Sequence, residues 1–213
     1  DHVDIYPTWD SYRMAFVGLA GLLEGSGSLV ACADDPAVTE IARGTRARLI
    51  TYATVPGRDA GWRATNPSFG PDSTTFSIET PAGTIGPVDL PVGGMQNVAN
   101  AVAAIAVAIE HAGSDPAAAV RAMGSFEGVA RRQEVVGRAR GVTVVEDFGH
   151  HPTAIGLTID GLRSRVAAGG RIVAILRPAS ATGCRALHQD EYAAALSRAE
   201  VAILAPLGRR LPP

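Results

Sequence analysis

The sequence predicts an α/β fold built on a mostly parallel sheet, and three observations carry the prediction. Short apolar runs of strand character alternate with segments of helical period, the pattern of chains that lay helices against a parallel sheet. Asp34-Asp35-Pro36 and Ser114-Asp115-Pro116 each set capping oxygens ahead of a proline at a first helical turn. From about Ser125 the strand and helix rhythm starts again, which divides the chain into domains over 1–124 and 125–213.

The elements follow in order. Tyr12, Phe16, Leu19, Leu22 and Leu23 recur at helical spacing and predict a helix from Trp9 to Leu23. Ser28 to Ala33 reads as a strand, the Asp35-Pro36 signal opens a helix to about Arg43, and Arg48 to Ala53 completes a β-α-β unit. Between Gly61 and Leu90 the period changes to two. Thr75, Ser77 and Glu79 alternate with Phe76 and Ile78, while Pro81-Ala82-Gly83 and Gly86-Pro87 read as turns, so a small antiparallel hairpin region is expected. Asn97 to His111 is an Ala-rich helix stopped by Gly113, and the helix opened at Pro116 stops near Gly124. Beyond it, strands are expected at Glu134 to Arg140, Val142 to Glu146, Arg171 to Leu176 and Val201 to Ala205. Helices are expected at Pro152 to Val166 and Asp190 to Ala199, and the second sheet is expected to be incomplete at Pro213.

Composition excludes several functions. The 213 residues are 46% hydrophobic and 19% charged, enough for a sizeable core, and the net charge of -2 with scattered basic residues offers no footprint for nucleic acid or an anionic membrane. Val98 to Ile109, the longest apolar stretch, is interrupted by Asn100 and too short to span a bilayer; with no signal peptide pattern at its start, the chain is expected to be cytoplasmic. Cys32 and Cys184 are far apart and lack the CxxC spacing of zinc or redox sites, so they read as incidental thiols. All 19 basic residues are arginine. A P-loop needs a lysine for the terminal phosphates, so if this chain handles ATP, part of the site lies outside it.

Three polar clusters could carry chemistry. Glu146-Asp147-Phe148-Gly149-His150-His151-Pro152 lies where an apolar strand gives way to a helix, the end of a parallel strand at which ligands collect. A carboxylate there suits a ribose hydroxyl or a metal-bound water, and the histidines could meet phosphate or simply order the loop. Adjacent histidines diverge, so a metal hydrolase built on His150 and His151 lacks a third ligand. Arg131-Arg132-Gln133-Glu134 sits at the domain boundary, where an arginine fork could grip a phosphate or where a solvated charge run could pair locally. Gly93 to Asn100 leads into the Ala-rich helix with Asn97 and Asn100 on one face, offering the donor and acceptor of an adenine edge, although Asn97 also suits a cap.

Taken together and in this order, these segments resemble the Mur ligase family. Gly94-Met95-Gln96-Asn97-Val98-Ala99-Asn100 is similar to its GxHNxxN stretch, with Gln96 where histidine is usual. Arg131-Arg132-Gln133-Glu134 resembles RRxE, Asp147 to Pro152 resembles D-[YF]-[AG]-H-x-P, and Asp1 to Tyr6 resembles DHxDxY. The resemblance implies the later part of a central ATPase domain followed by a Rossmann-like, mostly parallel C-terminal α/β domain, with the UDP-binding domain and the P-loop upstream. It implies ATP and Mg2+ as cofactors, His2 as a magnesium ligand, Asn97 and Asn100 facing adenine, and Arg132 on the nucleotide phosphates. Asp147 is implied on the ribose side, with His150 beside Arg132 and Asp147 in the catalytic set.

Within the family, Ala31 to Pro36, the Arg-Arg-Gln-Glu run, the His-His-Pro-Thr-Ala run through Ala154, and Ala179-Ser180-Ala181-Thr182 are more similar to the murein peptide ligases. That branch implies UDP-N-acetylmuramate and a cell-wall tripeptide as partners, peptidoglycan recycling as the setting, and a monomer or weak homodimer. Substrate contacts would come from His151, Arg177, Ser180 and Thr182. Where that branch usually reads E-P-R-S-[NA]-T, this chain has Arg177-Pro178-Ala179-Ser180-Ala181-Thr182, so Arg177 would replace the arginine lost at position 179; strand alternation puts both positions on one side. The alternatives are a ligase for UDP-N-acetylmuramate and L-alanine, and a nucleotide-binding relative without catalysis. Because the asparagines and His2 precede the boundary while Arg132 and Asp147 follow it, closure about Gly128-Val129-Ala130 is also expected.

Overall fold

The computed structural model describes residues 2–71 and 73–208. They form two compact units: Thr8–Phe126, and the described residues of Asp1–Pro7 together with those of Glu127–Pro213.

In the first unit, α1 (Trp9–Gly21) is opened by a reciprocal cap, with Thr8 Oγ1 accepting the Ser11 N–H and Ser11 Oγ accepting the Thr8 N–H. The expected apolar stripe is present, but Phe16, Leu19 and Leu22 are exposed rather than packed into this unit's core. The strands β1 (Ser28–Cys32), β2 (Arg48–Ala53), β3 (Trp62–Phe69), β4 (Thr74–Thr80) and β5 (Gly83–Leu90) then form one sheet in chain order. β1, β2 and β3 are parallel neighbours, and β3, β4 and β5 are antiparallel. Between β1 and β2 lies α2 (Pro36–Ala42), and the two aspartates before it divide the work. Asp35 caps the helix by accepting the Ala37 N–H at 2.8 Å, while Asp34 accepts the N–H and hydroxyl of Thr54 and the N–H of Val55, tying the exits of β1 and β2 together.

The alternation along β4 has its expected consequence, since Phe76 and Ile78 are fully buried. The expected antiparallel hairpins form as β3–β4 and β4–β5, and β3 also pairs with β2, so they continue the parallel sheet. One reading of this region is corrected. Gly86-Pro87 is not a turn but an irregularity inside β5, opposite the register shift between Phe76 and Ile78. Gly86 has φ 123°, and a Cβ there would lie 3.2 Å from Ser77 Cα, so only glycine fits the bulge.

The core lies between this sheet and two helices, α3 (Met95–Glu110) and α4 (Pro116–Met123). Val98, Ala101, Val102, Ile105 and Ala106 form one buried face of α3 against Ile50, Trp62, Phe76, Ile78, Val88 and Leu90. Burying each large aliphatic or aromatic side chain there contributes about 1.5–3 kcal/mol. Asp115 accepts the Ala118 N–H and opens α4.

In the second unit, β6 (Glu134–Ala139) and β7 (Val142–Glu146) make an antiparallel hairpin, and α5 (Pro152–Arg163), β8 (Val173–Leu176), α6 (Gln189–Leu196) and β9 (Val201–Leu204) follow. β8 and β9 pair in parallel, and the sheet expected as one consists of two separate two-stranded ladders among the described residues. α5 ends at Arg163, short of Val166, where Arg163 pairs with Glu200. Ile155, Ile159, Leu176, Ala195 and Leu196 form the core. No helix among the described residues is long and apolar enough to cross a membrane.

Candidate functional site

The polar cluster of the second unit is assembled by two loops that hold each other. The strand β7 delivers Glu146 and Asp147 at its carboxyl end, and the chain before β6 delivers Arg131, Arg132 and Gln133 beside them. Arg131 and Gln133 both have left-handed backbones, with φ 60° and 51°, which is costly for residues with a Cβ. Carboxylates hold them there: Glu134 Oε2 accepts the Arg131 N–H at 2.7 Å, and Asp147 Oδ2 accepts the Gln133 N–H at 3.0 Å. The Phe148 N–H donates to the Arg131 carbonyl at 2.7 Å, closing the pair of loops.

Asp147 therefore has a structural task. Its Oδ1 accepts the Gly149 N–H at 2.6 Å, so each oxygen already meets one backbone donor and keeps a lone pair for another partner. Arg132 approaches it only to 4.0 Å, while Arg131 Nε donates to Glu146 Oε1 at 2.8 Å. Both guanidinium carbons lie over the Phe148 ring, Arg131 at 5.0 Å and Arg132 at 5.5 Å from its centroid. Arg132 is thus half-exposed and lightly paired, which suits it to an incoming anion.

The histidines have different roles. His150 stands edge-on to Phe148 with Nδ1 3.1 Å from the Phe148 carbonyl oxygen, and its own carbonyl accepts the Tyr192 hydroxyl at 2.7 Å. His151 caps α5, its Nδ1 accepting the Thr153 N–H at 3.3 Å, and its ring meets His188 edge to face. An accepting Nδ1 requires the neutral ring, and burial pushes the His151 pKa below its ordinary value, with the neighbouring imidazoles of His188 and His150 adding to the effect.

The segment after β8 forms a turn in which Ser180 Oγ accepts the Gly183 N–H at 2.9 Å. Thr182 is 2% exposed and its hydroxyl oxygen accepts the Val3 N–H, so that hydroxyl serves the chain itself. A Cβ on Gly208 would fall 3.0 Å from Ala179 Cβ and 3.1 Å from Arg177 Nε. β8 ends at Leu176, so strand alternation does not extend to positions 177 and 179, but the Arg177 side chain reaches the space beside Ala179.

In the first unit, Gly94 (φ 95°) precedes α3, and a Cβ there would meet Gln96 Oε1 at 2.5 Å, so the Gln96 amide folds over its backbone. Asn97 Nδ2 donates back to the Gly93 carbonyl at 2.7 Å, and Asn100 is exposed one turn later. These two asparagines belong to a different unit from Arg132, Asp147, His150, His151, Arg177, Ser180 and Thr182. Magnesium takes an octahedron of oxygen donors, and among the described residues no three His, Cys, Asp or Glu side chains gather where a metal could bind. His2, exposed with φ 61°, does not make such a site, and Asp1 beside it lies outside the described residues.

Three features of the cluster were not legible in the sequence: the Phe148 ring beneath two arginines, the burial of Gln133 at 6% exposure, and the Tyr192 bond to the His150 carbonyl. Only the aromatic next to Asp147, in a loop shared with an arginine pair, could have hinted at the first.

Residues 1–108 match the Mur ligase middle domain, and residues 131–212 match the Mur ligase, glutamate ligase domain. The UDP-N-acetylmuramate–L-alanine ligase of Paenarthrobacter aurescens is 36% identical over 208 residues, which cover 96% of this chain and 43% of that protein. Among solved structures, the UDP-N-acetylmuramate–alanine ligase of Thermotoga maritima superposes with a TM-score of 0.72 at 21% identity, covering 97% of this chain and 44% of that one. A murein peptide ligase from Psychrobacter arcticus gives 0.63 at 26% identity, covering 92% and 40%. The chain spans less than half the length of the curated relatives it matches.

Proposed function

The chain belongs to the Mur ligase family, and from that membership we propose that the whole protein is an ATP-dependent ligase joining the carboxylate of UDP-N-acetylmuramate to the amine of L-alanine. The relatives named as L-alanine ligases across nearly the whole of this chain are the observation that carries this reading. In the reaction a carboxylate oxygen attacks the γ-phosphorus of ATP and ADP leaves. The amine then attacks the acyl phosphate carbon, and inorganic phosphate departs from the tetrahedral intermediate with the former carboxylate oxygen.

The residues of this chain supply binding and orientation. Arg132, held over Phe148 and lightly paired, offers N–H donors to the nucleotide phosphates, where charge accumulates during transfer. Asp147 fixes the loop that carries Arg132 and has a free lone pair on each oxygen for a ribose hydroxyl. Asn97 and Asn100 present amides to the adenine edge, and Arg177 would meet a substrate carboxylate. His150, Ser180, Thr182 and His151 shape the surrounding loops through the bonds described above. The terminal phosphates need a lysine that this chain lacks, and a magnesium ion, which would supply charge neutralisation there, would need oxygen donors beyond His2.

A second reading has its own support. The Arg177–Thr182 segment, with Arg177 reaching the space beside Ala179, and the 26% identity to a murein peptide ligase favour a tripeptide as the amine. The two readings share every step and differ only in the nucleophile. ADP release by the full-length protein with UDP-N-acetylmuramate, measured with L-alanine and with L-alanyl-γ-D-glutamyl-diaminopimelate, separates them. Turnover with L-alanine alone supports the first reading, turnover with the tripeptide alone replaces it with the second, and ADP release with neither removes both.

A further inference from the structure

We propose that Phe148 is a positioning residue that holds the Arg132 guanidinium for the phosphate tail of the nucleotide without neutralising it; this rests on the reading of Arg132 as a phosphate contact. The two arginines of the pair are held differently. Arg131 is committed: its Nε is bonded to Glu146 at 2.8 Å and its backbone is fixed by Glu134 and by the Phe148 N–H. Arg132 has only a 4.0 Å approach to Asp147, whose oxygens each accept one backbone N–H, from Gln133 and from Gly149. What it does have is the Phe148 ring, 5.5 Å from its guanidinium carbon.

An aromatic face and a carboxylate anchor an arginine in different ways. A carboxylate takes up N–H donors and cancels the charge that would attract phosphate, whereas a ring holds the plane of the guanidinium through its face and leaves the donors at the edge free. The Phe148 backbone is fixed by its bond to Arg131, and its ring packs in a T-shaped contact with His150, centroids 5.5 Å apart. Phe148 is 48% exposed, so trimming it opens no hole in the core.

The test uses calorimetric binding of a non-hydrolysable ATP analogue and of AMP to the full-length protein and its Phe148→Leu, Phe148→Tyr, Arg132→Ala and Arg132→Ala/Phe148→Leu variants. Loss of one cation–π contact at an exposed site corresponds to roughly a two- to fivefold rise in Kd. Phe148→Leu should show that rise for the triphosphate and no change for AMP, while Phe148→Tyr, which keeps the ring, binds both as the wild type does. In the Arg132→Ala background Phe148→Leu should add nothing, because its effect passes through that side chain. An unchanged triphosphate Kd in Phe148→Leu overturns the proposal, and so does an equal loss for AMP or an undiminished further loss in the Arg132→Ala background. If Arg132→Ala itself leaves the triphosphate Kd unchanged, the reading of Arg132 as a phosphate contact fails first and takes this proposal with it.

Discussion

Asp147→Ala should be the most destabilising single change in the site loops, and its cost can be worked from the bonds it removes. One carboxylate accepts the N–H of Gln133 at 3.0 Å and of Gly149 at 2.6 Å, with its side chain 15% exposed. Hydrogen bonds to a charged acceptor are worth about 1.5–3 kcal/mol each, and partial exposure favours the lower figure, so the loss is on the order of 3 kcal/mol. Gln133 would also be left at φ 51° without its tether. Asp147→Asn retains one good acceptor and should lose about half as much. Urea unfolding of the full-length protein, monitored by a probe in the second unit, measures both. A change below about 0.5 kcal/mol for Asp147→Ala would refute the idea that this carboxylate builds the loop, and would leave ligand binding as its only task.

Three further outcomes are expected. His151 is stabilised as the neutral ring, so its folded pKa lies below the ordinary 6.5; the unfolded chain takes up the proton first, and stability that is complete above pH 6.5 is lost as pH falls below it. Thermal melts across that range should show the slope, and His151→Asn, which can still cap α5, should flatten it. Gly94→Ala puts a Cβ 2.5 Å from Gln96 Oε1 at a left-handed position, and should lower stability by roughly 1–2 kcal/mol in denaturant titration, because the Gln96 amide must leave its place at the start of α3. Purified residues 1–213 alone should release no ADP with UDP-N-acetylmuramate, since they contain no lysine for the terminal phosphates; release that survives repurification would contradict this.

The sequence made local structure legible wherever one residue type has one strong reason to be in place. Asp35 and Asp115 cap the helices they precede, β2 spans Arg48–Ala53 as expected, and the alternation around Phe76 and Ile78 gives the buried face. It failed where tertiary pairing decides. Gly86-Pro87 carries a turn signal, yet Thr84 and Val88 on either side stay paired with β4 and absorb it as a bulge. The amphipathic α1 forms, but periodicity cannot say what covers Phe16, Leu19 and Leu22. The site divides in the same way. The segments that cluster were visible as motifs, whereas the Phe148 stack and the engagement of Asp147 with two backbone N–H groups depend on β7 and the Arg131 loop meeting in space.

The central claim, that the whole protein activates a carboxylate by phosphorylation and then hands it to an amine, is tested most directly by the fate of one oxygen atom. UDP-N-acetylmuramate labelled with heavy oxygen in its carboxylate is turned over by the full-length protein with ATP and L-alanine, and the released inorganic phosphate is weighed by mass spectrometry. An acyl phosphate intermediate transfers one labelled oxygen to each phosphate formed, and the account predicts that transfer together with an amide product that retains the other label. Amide formation accompanied by unlabelled phosphate would contradict it.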